Sequence, residues 1–229
     1  LVAVPDFAAG AMENAGLITY RDRMLLMDDK TVTQDELRGY AGIHAHELAH
    51  MWFGDLVTMK WWDDLWLNEA FATWFSSKTV GIYRPQWQVE FSQLRSRNWV
   101  MNADSKPASR RMREPIKSRG DIENAFDGIT YTKGAAVLRM FEEYVGAEPF
   151  QRGIQLYMKR HAWGSATFAD LLNAVETASK MKGLKAAMST FIDQAGVPHL
   201  KFEAQACTDA GRPIKVSQAR WQPLASGQL

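Results

Sequence analysis

Two histidines four residues apart, His46 and His50, bracket a glutamate in Ala45-His46-Glu47-Leu48-Ala49-His50. On a helix, positions i and i+4 lie on one face, so both imidazoles can reach the same metal ion. Glu47 is rotated by about 100° from His46 and can border that ion without binding it. This spacing suits a zinc hydrolase in which Glu47 serves as general base toward a zinc-activated water. Catalytic zinc usually takes three protein ligands. Glu69, in Leu67-Asn68-Glu69-Ala70-Phe71, is the candidate for the third, because an acid among apolar neighbours is costly to bury unless paired or metal-bound. His44 lies two residues from His46 on another side of the helix and reads as structural or exposed. His161 and His199 read as non-ligands. Asp55 is a candidate acceptor for the second ring N–H of a ligating histidine.

The elements that must hold these groups are legible in outline. Thr33 and Glu36 fit a capping box, and the helix they open is expected to run about 20 residues, to near Phe53, with Gly54 as its stop. His46 and His50 then fall well inside it, with Ile43, Leu48, Met51 and Trp52 burying much of its surface. Leu65 to Val80 reads as a second helix, apolar almost all round and therefore buried, ending at Gly81. A third is expected from Pro85 to Met101, then a long loop from Asn102 to Asn124. Further helices are expected near 132–145, 148–162, 167–180 and 184–194. Strands are expected at Leu1–Val4, Leu17–Tyr20 and Met24–Met27. After Pro198, two alternating runs (200–206 and 214–221) flank a turn at Thr208-Asp209-Ala210-Gly211. The basic run Arg110-Arg111-Met112-Arg113 reads as a solvated loop face.

Composition narrows the classes. The 229 residues carry a formal net charge of +1, which gives no electrostatic reason to expect nucleic acid or an anionic membrane as partner. One cysteine, Cys207, excludes an intrachain disulfide and a cysteine-cluster metal site. No apolar run approaches the length of a membrane span. The chain opens without an initiator Met and is read as a fragment of a longer polypeptide. Its targeting region is then missing, and either a cytoplasmic or a periplasmic (exported) location is compatible.

Gly10-Ala11-Met12-Glu13-Asn14, followed by His46-Glu47-Leu48-Ala49-His50 and then Glu69, resembles the gluzincin zinc aminopeptidases related to aminopeptidase N. The resemblance runs from about Leu1 to Pro198. It implies an α+β, mainly helical, thermolysin-like catalytic domain over 1–197, and the truncated start of a β-sandwich domain over 198–229. It implies one Zn2+ on His46, His50 and Glu69, and hydrolysis of the N-terminal peptide bond of peptides with a free α-amino group. Taken alone, Glu13 reads as a solvated turn residue and Tyr131 as a core tyrosine. The resemblance gives Glu13 the substrate ammonium, Gly10 and Ala11 the substrate main chain, and Met12 the first side-chain pocket, with Asn14 completing the stretch. Tyr131, in Tyr131-Thr132-Lys133-Gly134, becomes the oxyanion donor. Ala70 follows Glu69 where many members carry glycine, and Ala15 stands where many carry tryptophan. Other domains of the full-length chain are expected partners, one of them completing the amine site. The alternatives are an epoxide hydrolase of the same superfamily and an inactive binding module that keeps the fold.

Overall fold

The computed structural model describes residues 1–207, 209 and 211–221. It is mainly helical with a few short strands. β1 (Val2–Val4), β2 (Ala11–Met12) and β3 (Thr19–Arg21) form a sheet in the order β1-β3-β2, with β1 parallel and β2 antiparallel to β3. α1 (Asp22–Leu25) follows directly. It replaces the strand expected over Met24–Met27, since so short an apolar run carries no period to separate strand from helix.

α2 (Gln34–His50) starts as its sequence dictates. Thr33 Oγ1 accepts the Glu36 N–H at 3.2 Å, and the Glu36 carboxylate accepts the Thr33 N–H at 2.7 Å. The helix stops three residues sooner than expected. Met51 N–H and Trp52 N–H turn back to the carbonyls of Leu48 and Ala49, three residues earlier, which tightens the last turn. His50 is therefore the final helical residue rather than an interior one. Leu48 and Trp52 do not bury the helix surface as expected; they are 42% and 50% exposed.

β4 (Val57–Met59) pairs in parallel with β5 (Gly164–Ala166) and leads through a 3₁₀ turn, Trp62–Asp64, to α3 (Trp66–Tyr83). α3 runs through Gly81 instead of ending there. Pro85 opens a separate 3₁₀ turn, Pro85–Trp87, and Gln88, at φ 49°, breaks the chain before α4 (Val89–Asp104). The expected long loop is shorter at both ends, because α4 reaches Asp104 and α5 (Arg119–Ala125) starts on a second capping box, Ser118 with Asp121. A π-helical turn, Ile129–Lys133, passes into α6 (Gly134–Val145). α7 (Ala147–His161), α8 (Phe168–Ser179) and α9 (Leu184–Ile192) complete the helical part. β6 (Pro198–Ala204) and β7 (Ile214–Arg220) pair antiparallel, as their alternation predicts. The turn expected over Thr208–Gly211 lies partly outside the described residues.

The core is built on α3. Trp66, Leu67, Ala70, Phe71 and Trp74 pack with Leu138 and Phe141 of α6, Phe150 and Tyr157 of α7, and Leu171 and Val175 of α8. Asp64, just before α3, is buried and accepts the Phe168 N–H at 3.0 Å, so it caps the more distant α8. The run Arg110 to Arg113 is no solvated face. Arg110 forks onto Asp127, Met112 is buried, and Arg113 Nε reaches Asp193 at 3.1 Å. Among the described residues no helix is long and apolar enough to cross a membrane.

Candidate metal centre

His46 and His50 project from the last two turns of α2, and Glu69 from the first turn of the adjacent α3. Their donor atoms form a nearly equilateral triangle. His46 Nε2 lies 3.0 Å from His50 Nε2 and 3.2 Å from Glu69 Oε2, and His50 Nε2 lies 3.3 Å from the same oxygen. Ligands bound tetrahedrally at zinc distances lie about 3.3 Å from one another. The triangle therefore has the size of one face of a zinc coordination shell, and its two nitrogens and one carboxylate oxygen are the donor types that ion takes.

The outer nitrogens decide which lone pairs face inward. His50 Nδ1 is 2.9 Å from the Phe53 carbonyl. A carbonyl only accepts, so Nδ1 carries a proton and Nε2 is the nitrogen that faces the centre. This is the position for which Asp55 was the candidate, and the Phe53 carbonyl takes it instead. Asp55 Oδ2 is buried without a hydrogen-bond partner. The tightened end of α2 brings the Phe53 carbonyl back to the ring, and Gly54 follows at φ 140°, which favours glycine. On the other side, Thr73 Oγ1 donates to the Glu69 carbonyl at 2.8 Å and lies 3.4 Å from His46 Nδ1. With its own proton committed, the hydroxyl oxygen accepts from His46. Thr73 was not singled out from the sequence, although it stands four residues after Glu69 on the same face of α3.

The three ligand candidates and Glu47 are strongly coupled. Burial works against charge on Glu69, but the hydrogen bonds and charges of His46 and His50 hold its carboxyl well below the usual range. Burial likewise works against charge on His50, and the Glu69 hydrogen bond and charge overcome it, raising that imidazole. Glu47 is buried and pushed up to about 7, first by desolvation, with the His50 charge opposing and the Glu13 and Glu69 charges adding. A carboxyl so placed can both take and return a proton near neutrality.

Glu13 enters from the small sheet. Its Oε1 lies 3.8 Å from His50 Nδ1, and Glu13, Glu47 and His50 each bring a ligand atom within 4.8 Å of the others. β2 is an edge strand, and its register pairs Ala11 with Tyr20 and Met12 with Thr19. The Arg21 N–H bonds to the Gly10 carbonyl at 2.9 Å. Antiparallel pairs alternate between bonded and non-bonded, so Ala11 turns its N–H and carbonyl to the open edge. Within the sheet the Gly10 carbonyl is used, and the Ala11 backbone groups are not. Met12 is 42% exposed. Asn14, just past β2, turns toward β3, its Nδ2 donating to Thr19 Oγ1 at 3.3 Å.

Tyr131 sits in the π turn with its ring stacked on His46, centroids 5.9 Å apart and planes 21° apart. Burial, then the Glu69 charge and hydrogen bond, push its hydroxyl well above the ordinary phenol range. It stays protonated and able to donate. His44 points elsewhere: its Nδ1 is 2.7 Å from the Tyr20 hydroxyl and its ring stacks on Tyr40.

Comparison with known proteins shows the family. Residues 1–191 match the peptidase family M1 domain. The chain is 46% identical over 222 residues to tricorn protease-interacting factor F2 of Thermoplasma volcanium, covering 96% of this chain and 28% of that protein. It is 43% identical over 198 residues to aminopeptidase M1-C of Oryza sativa subsp. japonica, covering 86% and 22%, respectively. Against leucyl aminopeptidase of Saccharolobus solfataricus it is 38% identical over 229 residues, 99% of this chain and 28% of the relative. The chain thus spans about a quarter of the length of these relatives. With the metal-sized donor triangle and the matched domain, the chain belongs to peptidase family M1.

Proposed function

We propose that this chain is the catalytic part of a zinc-dependent aminopeptidase. It would cleave the first peptide bond of peptides that carry a free α-amino group. The observation that carries the reading is the triangle of His46, His50 and Glu69, with the carboxylates of Glu13 and Glu47 beside the same His50. A lone donor triangle suits any zinc hydrolase, whereas a second carboxylate at hand suits one that must also hold an ammonium.

What a zinc ion supplies when held by these three is Lewis acidity toward a water molecule and toward the scissile carbonyl. The chain's own residues do the rest. Glu13 pairs with the substrate α-ammonium and so sets the distance from the amino terminus to the bond cleaved. The outward N–H and carbonyl of Ala11 extend the sheet by one strand of substrate main chain, with Met12 lining the first side-chain pocket. Glu47 takes a proton from the attacking water and returns it to the leaving amine. Tyr131 donates to the oxyanion as the carbonyl becomes tetrahedral.

This reading includes a thermolysin-like catalytic domain over residues 1–197 and the start of a following β-sandwich domain from residue 198. Further domains of the full-length chain then border the site.

The test uses the full-length enzyme and aminoacyl-anilide substrates. Glu47→Ala should lower kcat by about a hundredfold or more with zinc content unchanged. Acetylating the substrate amine should abolish turnover. Normal turnover by Glu47→Ala, or equal cleavage of free and acetylated substrates, overturns the reading.

A further inference from the structure

Tyr131 belongs to a segment held from several sides, and one of the contacts is unusually close. Gly134, the first residue of α6, follows the π turn directly. Its backbone is ordinary right-handed helix, φ −56° and ψ −50°. Glycine is therefore not needed there for conformation, and in a helix it is a poor choice. It is needed for room. A Cβ on Gly134 would lie 2.5 Å from the Cβ of Ala70, and 3.3 Å from Met112 Sδ. Ala70 is fully buried and is the neighbour of Glu69. Two adjacent residues of α3 thus meet the tyrosine segment: Glu69 beside the Tyr131 hydroxyl, and Ala70 against Gly134.

Behind the turn nothing gives way easily. Lys133 Nζ reaches Asp104 Oδ2 at 2.7 Å, with both side chains largely buried. Asp104 in turn accepts the Gly196 N–H at 2.9 Å and the Ser109 hydroxyl at 2.7 Å. The turn is pressed onto α3 from one side and stopped by the Gly134–Ala70 contact on the other.

We propose that the Ala70–Gly134 contact is the spacer that sets how far the Tyr131 hydroxyl stands from the donor triangle, which makes both positioning residues for turnover. The proposal rests on Tyr131 being the oxyanion donor. It also gives Ala70 a reason: with glycine at 134, alanine at 70 supplies the one methyl group the gap admits. Adding a second methyl group at 134 forces the π turn outward, and removing the first at 70 restores the room.

The experiment measures kcat and KM on an aminoacyl-anilide with the full-length enzyme, together with zinc content and thermal unfolding. Gly134→Ala should lower kcat by about ten- to a hundredfold, the scale of a small misplacement of a catalytic group. KM should change less than about threefold, and zinc should stay at one per chain. The exchanged pair, Ala70→Gly with Gly134→Ala, should return kcat to within about threefold of the parent, because the summed volume is conserved. In a Tyr131→Phe background, Gly134→Ala should cost almost nothing further in kcat, since the group it displaces is gone. A general packing defect would instead lower both backgrounds alike and overturn the proposal. If Gly134→Ala does not fold, the exchanged pair decides: a folded, zinc-loaded pair with kcat down more than tenfold overturns the spacer. Full activity of Tyr131→Phe would instead remove the oxyanion role itself, a separate and distinguishable failure.

Discussion

Tyr20 and His44 join the two halves of the site through one hydrogen bond of 2.7 Å. Tyr20 lies on β3, opposite Ala11 of β2, and His44 lies on α2, two positions before His46 with only Ala45 between. Burial lowers the His44 imidazole and leaves it neutral. Burial, then the charges of Glu47 and Tyr40, keeps the Tyr20 phenol protonated. The hydroxyl therefore donates to Nδ1, and the strand pair carrying Glu13 is tied to the helix carrying the histidines. Tyr20→Phe should cost about 1 kcal/mol of stability, the usual worth of such a bond. It should also raise KM for substrates with a free amine more than it lowers kcat. Urea denaturation and steady-state kinetics check the two parts; an unchanged KM would show that the strand pair holds its place without the tie.

Metal removal should expose the His50–Glu69 pair as an ion pair. In the metal-free protein, His50 is raised from 6.5 to about 9. A raised pKa contributes stability that is complete below the unfolded value and is lost as pH climbs through the folded one. Chelated protein should therefore lose unfolding free energy between about pH 6.5 and 9. Glu69 is lowered from 4.5, so its contribution is complete above that value and fades only in strong acid. Zinc must also displace the His50 proton to reach Nε2. Calorimetric zinc titration at pH 7 in buffers of differing ionisation enthalpy should report about one proton released per ion. A binding enthalpy independent of buffer would contradict this.

Asp127 should be worth more than its half-exposed position suggests. Its carboxylate accepts from Arg110 Nε and Nη2 and from the N–H groups of Ile129 and Thr130, at 2.6 to 3.1 Å. These bonds fix the entry to the π turn. Asp127→Ala should destabilise the protein by about 2 kcal/mol, while Asp127→Asn, which keeps one acceptor oxygen, should lose about half as much. Chemical denaturation of the two variants checks the order.

Gly54→Ala should weaken metal binding rather than catalysis. The residue stands at φ 140°, and an added Cβ would press within 3.3 to 3.4 Å of Asn68 Nδ2 and His50 Nδ1. Strain of about 1–3 kcal/mol is expected for alanine in such a conformation. It falls on the segment that supplies the Phe53 carbonyl to His50. Competition with a chelator should show zinc held about tenfold more weakly, with kcat of the loaded enzyme within about threefold. Equal affinity would mean that the loop absorbs the methyl group elsewhere.

How much of this was legible depends on where the information sits. Thr33 and Glu36 announced α2 because a capping box is local chemistry, and the same pattern at Ser118 and Asp121 announces α5. That second signal was masked by the prolines and charges around it, and a seven-residue helix has little period to add. The ligand spacing was legible because helix geometry fixes it, and Thr73 follows from the same arithmetic. The partner of His50 was not legible: a backbone carbonyl such as that of Phe53 carries no side-chain signature, so Asp55 drew the attention. Arg110 looked like a solvated charge because its acceptor, Asp127, is seventeen residues away and meets it only through the fold.

The early stop of α2 has an electrical consequence. Seventeen residues of aligned peptide dipoles end at His50, so one donor of the triangle sits in the turn that carries the helix's negative pole. A cation there is favoured by the backbone itself, by about 0.3–1 kcal/mol before any side chain is counted. Had the helix run on to Phe53, that pole would have moved away by about one turn of helix, roughly 5 Å. The chain ends this dipole in the turn that carries His50, next to where a doubly charged ion would sit.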